Sequence, residues 1–206
     1  GAVPALEQHA ILEQLDAGVI GGVRAADPGQ RLRAQIAHPQ AAAALVATPG
    51  AGANVQLSIL GSSLYGAQVA AALGLPFAFA SHFAPQMLDE ALHIYRSHFR
   101  PSAVLDTPHA IAAFNIIAAE TDAEAEYLAS SLMQSFVALR TGNPRQLPPP
   151  VEGYVASLPP HFASALNDVL SASAIGAADT VKSAVQAFQA RTQADEIIVA
   201  CSVFDH

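Results

Sequence analysis

The chain contains one cysteine, Cys201, so it has neither a disulfide framework nor the makings of a cysteine-based metal centre. A reducing, cytoplasmic setting is expected. Basic residues are also few: nine Lys and Arg, scattered singly, stand against 17 Asp and Glu, for a net charge of −8. A surface for nucleic acid or for an anionic membrane needs clustered basic residues, so small molecules and other proteins are the expected partners. Long apolar runs are missing too, because Gly, Pro or Ser interrupts each within ~15 residues, short of the ~20 that a bilayer span requires. The opening "GAVPALEQ" has neither an initiator Met nor a signal-peptide pattern, and the chain is expected to begin partway through a longer reading frame.

What is present is a core. With 52% of its 206 residues hydrophobic and 13% charged, the chain can bury a sizeable interior, and one domain over residues 1–206 is expected. Pro4 to Leu15 has helical spacing, and "VIGGV" (Val19 to Val23) reads as a short buried strand with Arg24 at its end. Residues 25–54 are rich in Ala, Gly and Pro and read as loop with one short helix.

Beyond them the alternation becomes regular. Gln56 to Leu60 reads as a strand, Leu64 to Leu73 as a helix, Phe77 to Ala80 as a strand, and Pro85 to Phe99 as a helix. His109 to Glu120 reads as a buried strand, and Thr121 to Glu124 has capping-box form for a helix running to about Thr141. The prolines of "GNPRQLPPPVEGY" forbid regular structure. Helices near His161 to Leu170 and Asp179 to Arg191 follow, and Glu196 to Phe204 closes as a strand. Strands alternating with helices of ~10–15 residues imply a parallel sheet with helical crossovers, either open and doubly wound or closed as a (β/α)8 barrel. Both place ligands at the carboxyl ends of strands. No G-x-G-x-x-G opens a helix, which weakens the dinucleotide-binding form of the open sheet.

Two strand ends collect polar residues. At the first, "GSSLYG" (Gly61 to Gly66) starts a helix whose unpaired N–H groups and dipole favour an anion. Ser62 and Ser63 suit an anion site there, and they equally suit plain N-capping. At the second, Ser81 and His82 follow an apolar strand, and the histidine serves either as a structural hydrogen-bonding group or as a catalytic one. His93 and His98, five apart on a helix, share no face and read as solvated. Glu124 and Glu126 read as a solvated helix start, and Cys201 as an inert buried thiol.

The stretches "ILGSSLYGAQVAAALGLPFAFASHFAP", "FNIIAAETDAEAEYLASS", "QLPPP" and "ADEIIVACSVFDH" resemble the luciferase-like flavin-dependent monooxygenase family, the (β/α)8 TIM-barrel enzymes related to bacterial luciferase. The match is strong over residues 55–206 and weaker over 1–54, where Arg24-Ala25 survives from the family's Gly-Arg-Ala-Pro-Gly but Asp27 intrudes before Pro28-Gly29. The family's amino-terminal strand-helix units have no counterpart, so the resemblance implies an α/β barrel that is incomplete in this chain. It also implies an FMN-dependent monooxygenase that uses reduced flavin and O2 on a small organic substrate, with a flavin reductase as a partner and a homo-oligomeric assembly. Carried onto this sequence, the phosphate of FMN falls to Ser63 and Arg24, with Ser62, Leu64, Tyr65 and Gly66 lining the junction and His82 with Ser81 facing the ring. The rival expectation is a non-catalytic truncated barrel that binds FMN or phosphate, or acts only through oligomerisation. A third is a different parallel α/β fold binding another phosphorylated ligand at Ser63.

Overall fold

The computed structural model describes residues 56–204. The helix expected at Pro4 to Leu15, the strand at Val19 to Val23, Arg24 and the closing Asp205-His206 lie outside the described residues.

The chain order is β1 (Ile59–Gly61), α1 (Leu64–Leu73), β2 (Phe77–Phe79), a 3-10 turn (Pro85–Met87), α2 (Leu88–Ser97), β3 (Ala110–Ala118) and α3 (Asp122–Arg140). Then come α4 (Tyr154–Ser157), α5 (Pro160–Val169), a 3-10 turn (Leu170–Ala172), β4 (Ser173–Gly176), α6 (Ala178–Thr192) and β5 (Glu196–Ala200). Every strand pairing is parallel: β1 with β2, β2 with β3, and β3 with both β4 and β5. β3 is the hub, and its pairing passes from β2 at Ala110–Ala112 to β4 at Asn115–Ala118, with β5 alongside Ile111–Asn115. The sheet does not close on itself among the described residues.

Packing follows from the pleat. Ile59 and Gly61 lie under α1, so the alternation of side chains turns Leu60 to the opposite face, where it is 70% exposed. One core gathers Phe77, Phe79, Phe114 and Phe188 with Leu88, Leu92 and the alanines of α1; a second gathers Ile117, Met133, Phe136, Leu166 and Val169 beneath α3 and α5. Tyr95 is fully buried, and its hydroxyl donates to Leu75 O at 2.9 Å and accepts the His109 N–H at 3.0 Å. Burial pushes its pKa above the ordinary tyrosine value. This knot fixes the amino ends of β2 and β3 and leaves their carboxyl ends to the loops.

Gly74 ends α1 at φ 60°, and a Cβ there would meet Arg100 O at 2.5 Å, so the left-handed exit needs glycine on both counts. That exit returns the chain through Leu75 and Pro76 into β2.

Several boundaries differ from the sequence reading. The first strand starts at Ile59 and reaches Gly61. The helix placed at Pro85 begins as a 3-10 turn, since Pro85 has no N–H and the true α-helix starts at Leu88. The last strand stops at Ala200. Cys201, expected to be buried, is exposed because it lies just beyond that strand's end. β4 and α4 were not expected: "SAIG" offers one β-branched residue, and "YVAS" is a single turn wedged between Gly153 and Pro159.

Candidate functional site

The first strand-to-helix junction is built by Gly61 through Gly66. Ser63 is the N-cap of α1 with an extended backbone (φ −136°, ψ 162°), yet its side chain makes no capping hydrogen bond and the first turn holds no acidic residue. Ser62, Ser63 and Tyr65 are exposed, and Leu64 and Gly66 are half-buried. The first N–H groups of α1 therefore have no cap from the Ser63 side chain and nothing acidic in their own turn to offset the helix dipole.

The two longest helices, α3 and α6, are treated differently. Thr121 Oγ1 accepts the Glu124 N–H at 3.2 Å at the start of α3, whose first turn carries Asp122 and Glu124. Asp122 Oδ1 also accepts the Ala177 N–H at 2.7 Å at the start of α6, whose own first turn holds Asp179. That bond, helped by Thr180, holds the Asp122 carboxyl below the usual carboxylate range. Both starts are already supplied with negative charge, whereas α1 is left to attract it from elsewhere.

The second strand end lies beside the first. Ala80 N–H donates to Gly61 O at 2.9 Å, so the chain continues into Ser62 on one side and into Ser81-His82 on the other. A tight turn follows, in which Ser81 N–H donates to Phe79 O at 2.9 Å and the N–H groups of Phe83 and Ala84 each donate to Ala80 O at 3.1 Å. Ser81 is fully buried, and its hydroxyl donates to Ala113 O at 2.5 Å. His82 is half-buried, its Nδ1 is buried and has no hydrogen-bond partner among the described residues, and this burial lowers its pKa, so the ring favours the neutral form.

The structure thus brings six of the expected residues, Ser62 to Gly66 and His82, to the adjacent ends of β1 and β2 and the start of α1, with Ser81 buried in the turn after β2. Arg24, expected as the counter-charge, lies outside the described residues. Sequence reading missed Asn115. It is 2% exposed, and its side-chain amide donates to His82 O at 2.8 Å and to Ser173 Oγ at 3.2 Å. The signal was a lone amide within the apolar run "AIAAFNIIA". His93 and His98 are exposed, as the sequence implied. Among the described residues no three His, Cys, Asp or Glu side chains form a group that could hold a metal ion, and no helix is long and apolar enough to cross a membrane.

A parallel sheet with helical crossovers, carrying an uncapped helix start and a half-buried histidine on adjacent carboxyl ends, defines an α/β domain of the kind in which ligands meet strand ends. No family model matches the chain. A luciferase-like monooxygenase of Escherichia coli (strain K12) is 49% identical over 158 residues, covering 77% of this chain and 47% of the relative. The uncharacterized protein YvbT of Bacillus subtilis (strain 168) is 44% identical over 160 residues, covering 78% of this chain and 48% of that protein. Among solved structures, the crystal structure of apo-MsnO8 superposes with a TM-score of 0.64 at 26% identity, covering 86% of this chain and 54% of that one. The chain belongs to the luciferase-like monooxygenase family. It spans about half the length of the curated relatives it matches.

Proposed function

We propose that this chain belongs to an FMN-dependent monooxygenase acting with O2 on a small organic substrate, and that the flavin's phosphate docks at the start of α1. The observation that carries the reading is the pairing of an uncapped helix start at Ser63 with a neutral histidine one strand away. The residues fit the group: a phosphate needs free N–H donors and an approach unobstructed by carboxylates, and α1 offers both where α3 and α6 do not. Bound reduced FMN supplies the activation of O2.

The chain's own residues do the rest. The N–H groups behind Ser63 and the hydroxyls of Ser62 and Ser63 hold the phosphate, with Arg24 as counter-charge. A charge-assisted contact of that kind contributes on the order of 1.5–3 kcal/mol. Leu64, Tyr65 and Gly66 line the approach. His82 lies on the ring's side of the pocket and holds or moves a proton through its imidazole, whose Nδ1 has no hydrogen-bond partner among the described residues. Ser81 secures the turn from which His82 projects. Exposed Phe83 offers apolar surface beside it, suited to excluding water from an organic substrate. A flavin reductase supplying reduced FMN is the partner this chemistry calls for.

The test is a titration of FMN into the 206-residue chain followed by fluorescence quenching, then O2 consumption with reduced FMN over a panel of small organic substrates. Saturable FMN binding with substrate-dependent O2 uptake supports the reading. Binding without substrate-dependent uptake supports the rival, a non-catalytic flavin-binding domain. Absence of FMN binding rejects both.

A further inference from the structure

We propose that Asn115 is a positioning residue for His82, tying the turn that carries the histidine to the centre of the sheet. The inference rests on the reading of His82 given above and deepens it. Beyond Phe79 the chain leaves its ladder with β3, whose last β2 partner is Ala112 and whose first β4 partner is Asn115. Two side-chain bonds take over across that gap: Ser81 Oγ to Ala113 O at 2.5 Å and Asn115 Nδ2 to His82 O at 2.8 Å. The second holds the carbonyl of His82 itself, adjoining the Cα from which the imidazole hangs.

The identity of the residue argues the same way. A buried position between Phe114 and Ile116 in a nine-residue strand favours Val or Ile, and a buried amide is tolerated when its donors are used. Both hydrogens of Nδ2 are used, on His82 O and on Ser173 Oγ at 3.2 Å, so one side chain spans the exit of β2 and the entry of β4. Leucine fills a similar volume without the tie, and aspartate turns an acceptor toward the His82 carbonyl.

The experiment follows the His82 ring in the 206-residue chain by 1H–13C NMR with labelled histidine, the signal being identified through His82→Asn. In Asn115→Leu and Asn115→Asp the His82 ring signal moves or splits by more than its line width while the remaining histidines hold their places, and Ser173→Ala leaves it unmoved. Turnover with bound FMN falls about tenfold in the Asn115 variants, with FMN affinity within about twofold of wild type. The proposal is overturned if the His82 signal stays put in whichever Asn115 variant folds, if Ser173→Ala moves it as far, or if all histidine signals shift together. Should His82→Asn leave turnover intact, the role given to His82 fails, and the ring signal still decides whether Asn115 positions it.

Discussion

Ala80 donates its backbone N–H to the carbonyl of Gly61 at 2.9 Å, and this bond sets the separation between the two halves of the site. Ser62 and Ser63 leave from one side of it, and Ser81 and His82 from the other. Phosphate binding and turnover should therefore separate by mutation. Arg24→Ala is expected to weaken FMN binding at least several-fold, the loss of one charge-assisted contact. His82→Asn should keep FMN affinity and lose turnover by roughly a hundredfold, as for a missing proton-transfer group. Stopped-flow O2 consumption beside FMN titration checks the pair, and intact turnover in His82→Asn removes histidine from the mechanism.

Burial lowers the pKa of His82 below the ordinary 6.5, so between the folded value and 6.5 the unfolded chain binds more protons than the native one. His82 then contributes stability that is fully present above 6.5 and declines as pH falls toward the folded pKa. Urea midpoints at pH 7 and 5.5 should fall further for wild type than for His82→Gln. Equal falls in the two proteins would show that the imidazole titrates normally.

Gly66 within α1 and Gly74 just past its end should respond in opposite ways to alanine. At Gly74 the added Cβ meets Arg100 O at 2.5 Å and Ser102 Cβ at 2.6 Å in a left-handed conformation, so Gly74→Ala is expected to cost at least about 2 kcal/mol. At Gly66 it would meet Phe77 Cε2 at 3.5 Å and Gly61 Cα at 3.7 Å, ordinary contacts inside a helix, and Gly66→Ala should stabilise by up to about 1 kcal/mol. Chemical denaturation of both variants checks the contrast, and destabilisation at Gly66 would mean that α1 lies closer to β1 than described.

The helix of α1 was legible to the residue, because Ser62-Ser63 and Gly74 bracket a run that is apolar apart from Gly66 and Gln68. β3 and α3 were legible for a similar reason, with Thr121 marking the boundary between them. β4 was not, since its alanine, serine and glycine are held as a strand by pairing with Asn115–Ala118, a contact that no local pattern encodes. The two strand ends could be named from sequence, but their adjacency required the parallel pairing of β1 with β2. Asn115 went unread because its meaning lies in a carbonyl 33 residues away. Cys201 was misread because apolar neighbours do not bury a residue placed past the end of a strand.

Large apolar side chains remain exposed on β1 and β5: Leu60 on the first, and Ile198 and Val199 on the second. Strand edges with such surface associate unless covered, so a dimer or larger assembly is expected. Light scattering at micromolar concentration should report more than one chain per particle, and Leu60→Lys with Ile198→Lys should reduce it. A monodisperse wild-type monomer would contradict the expectation.

The central claim, a phosphate at the start of α1, is tested most directly by titrating FMN and riboflavin into wild type and Ser63→Asp. Aspartate is as good an N-cap as serine and favours the helix dipole, so the fold should be retained while a phosphate is repelled. Wild type is expected to bind FMN at least about tenfold more tightly than riboflavin, an advantage of about 1.4 kcal/mol that disappears in Ser63→Asp. Equal binding of the two flavins by wild type, or an FMN advantage that survives in Ser63→Asp, would contradict it.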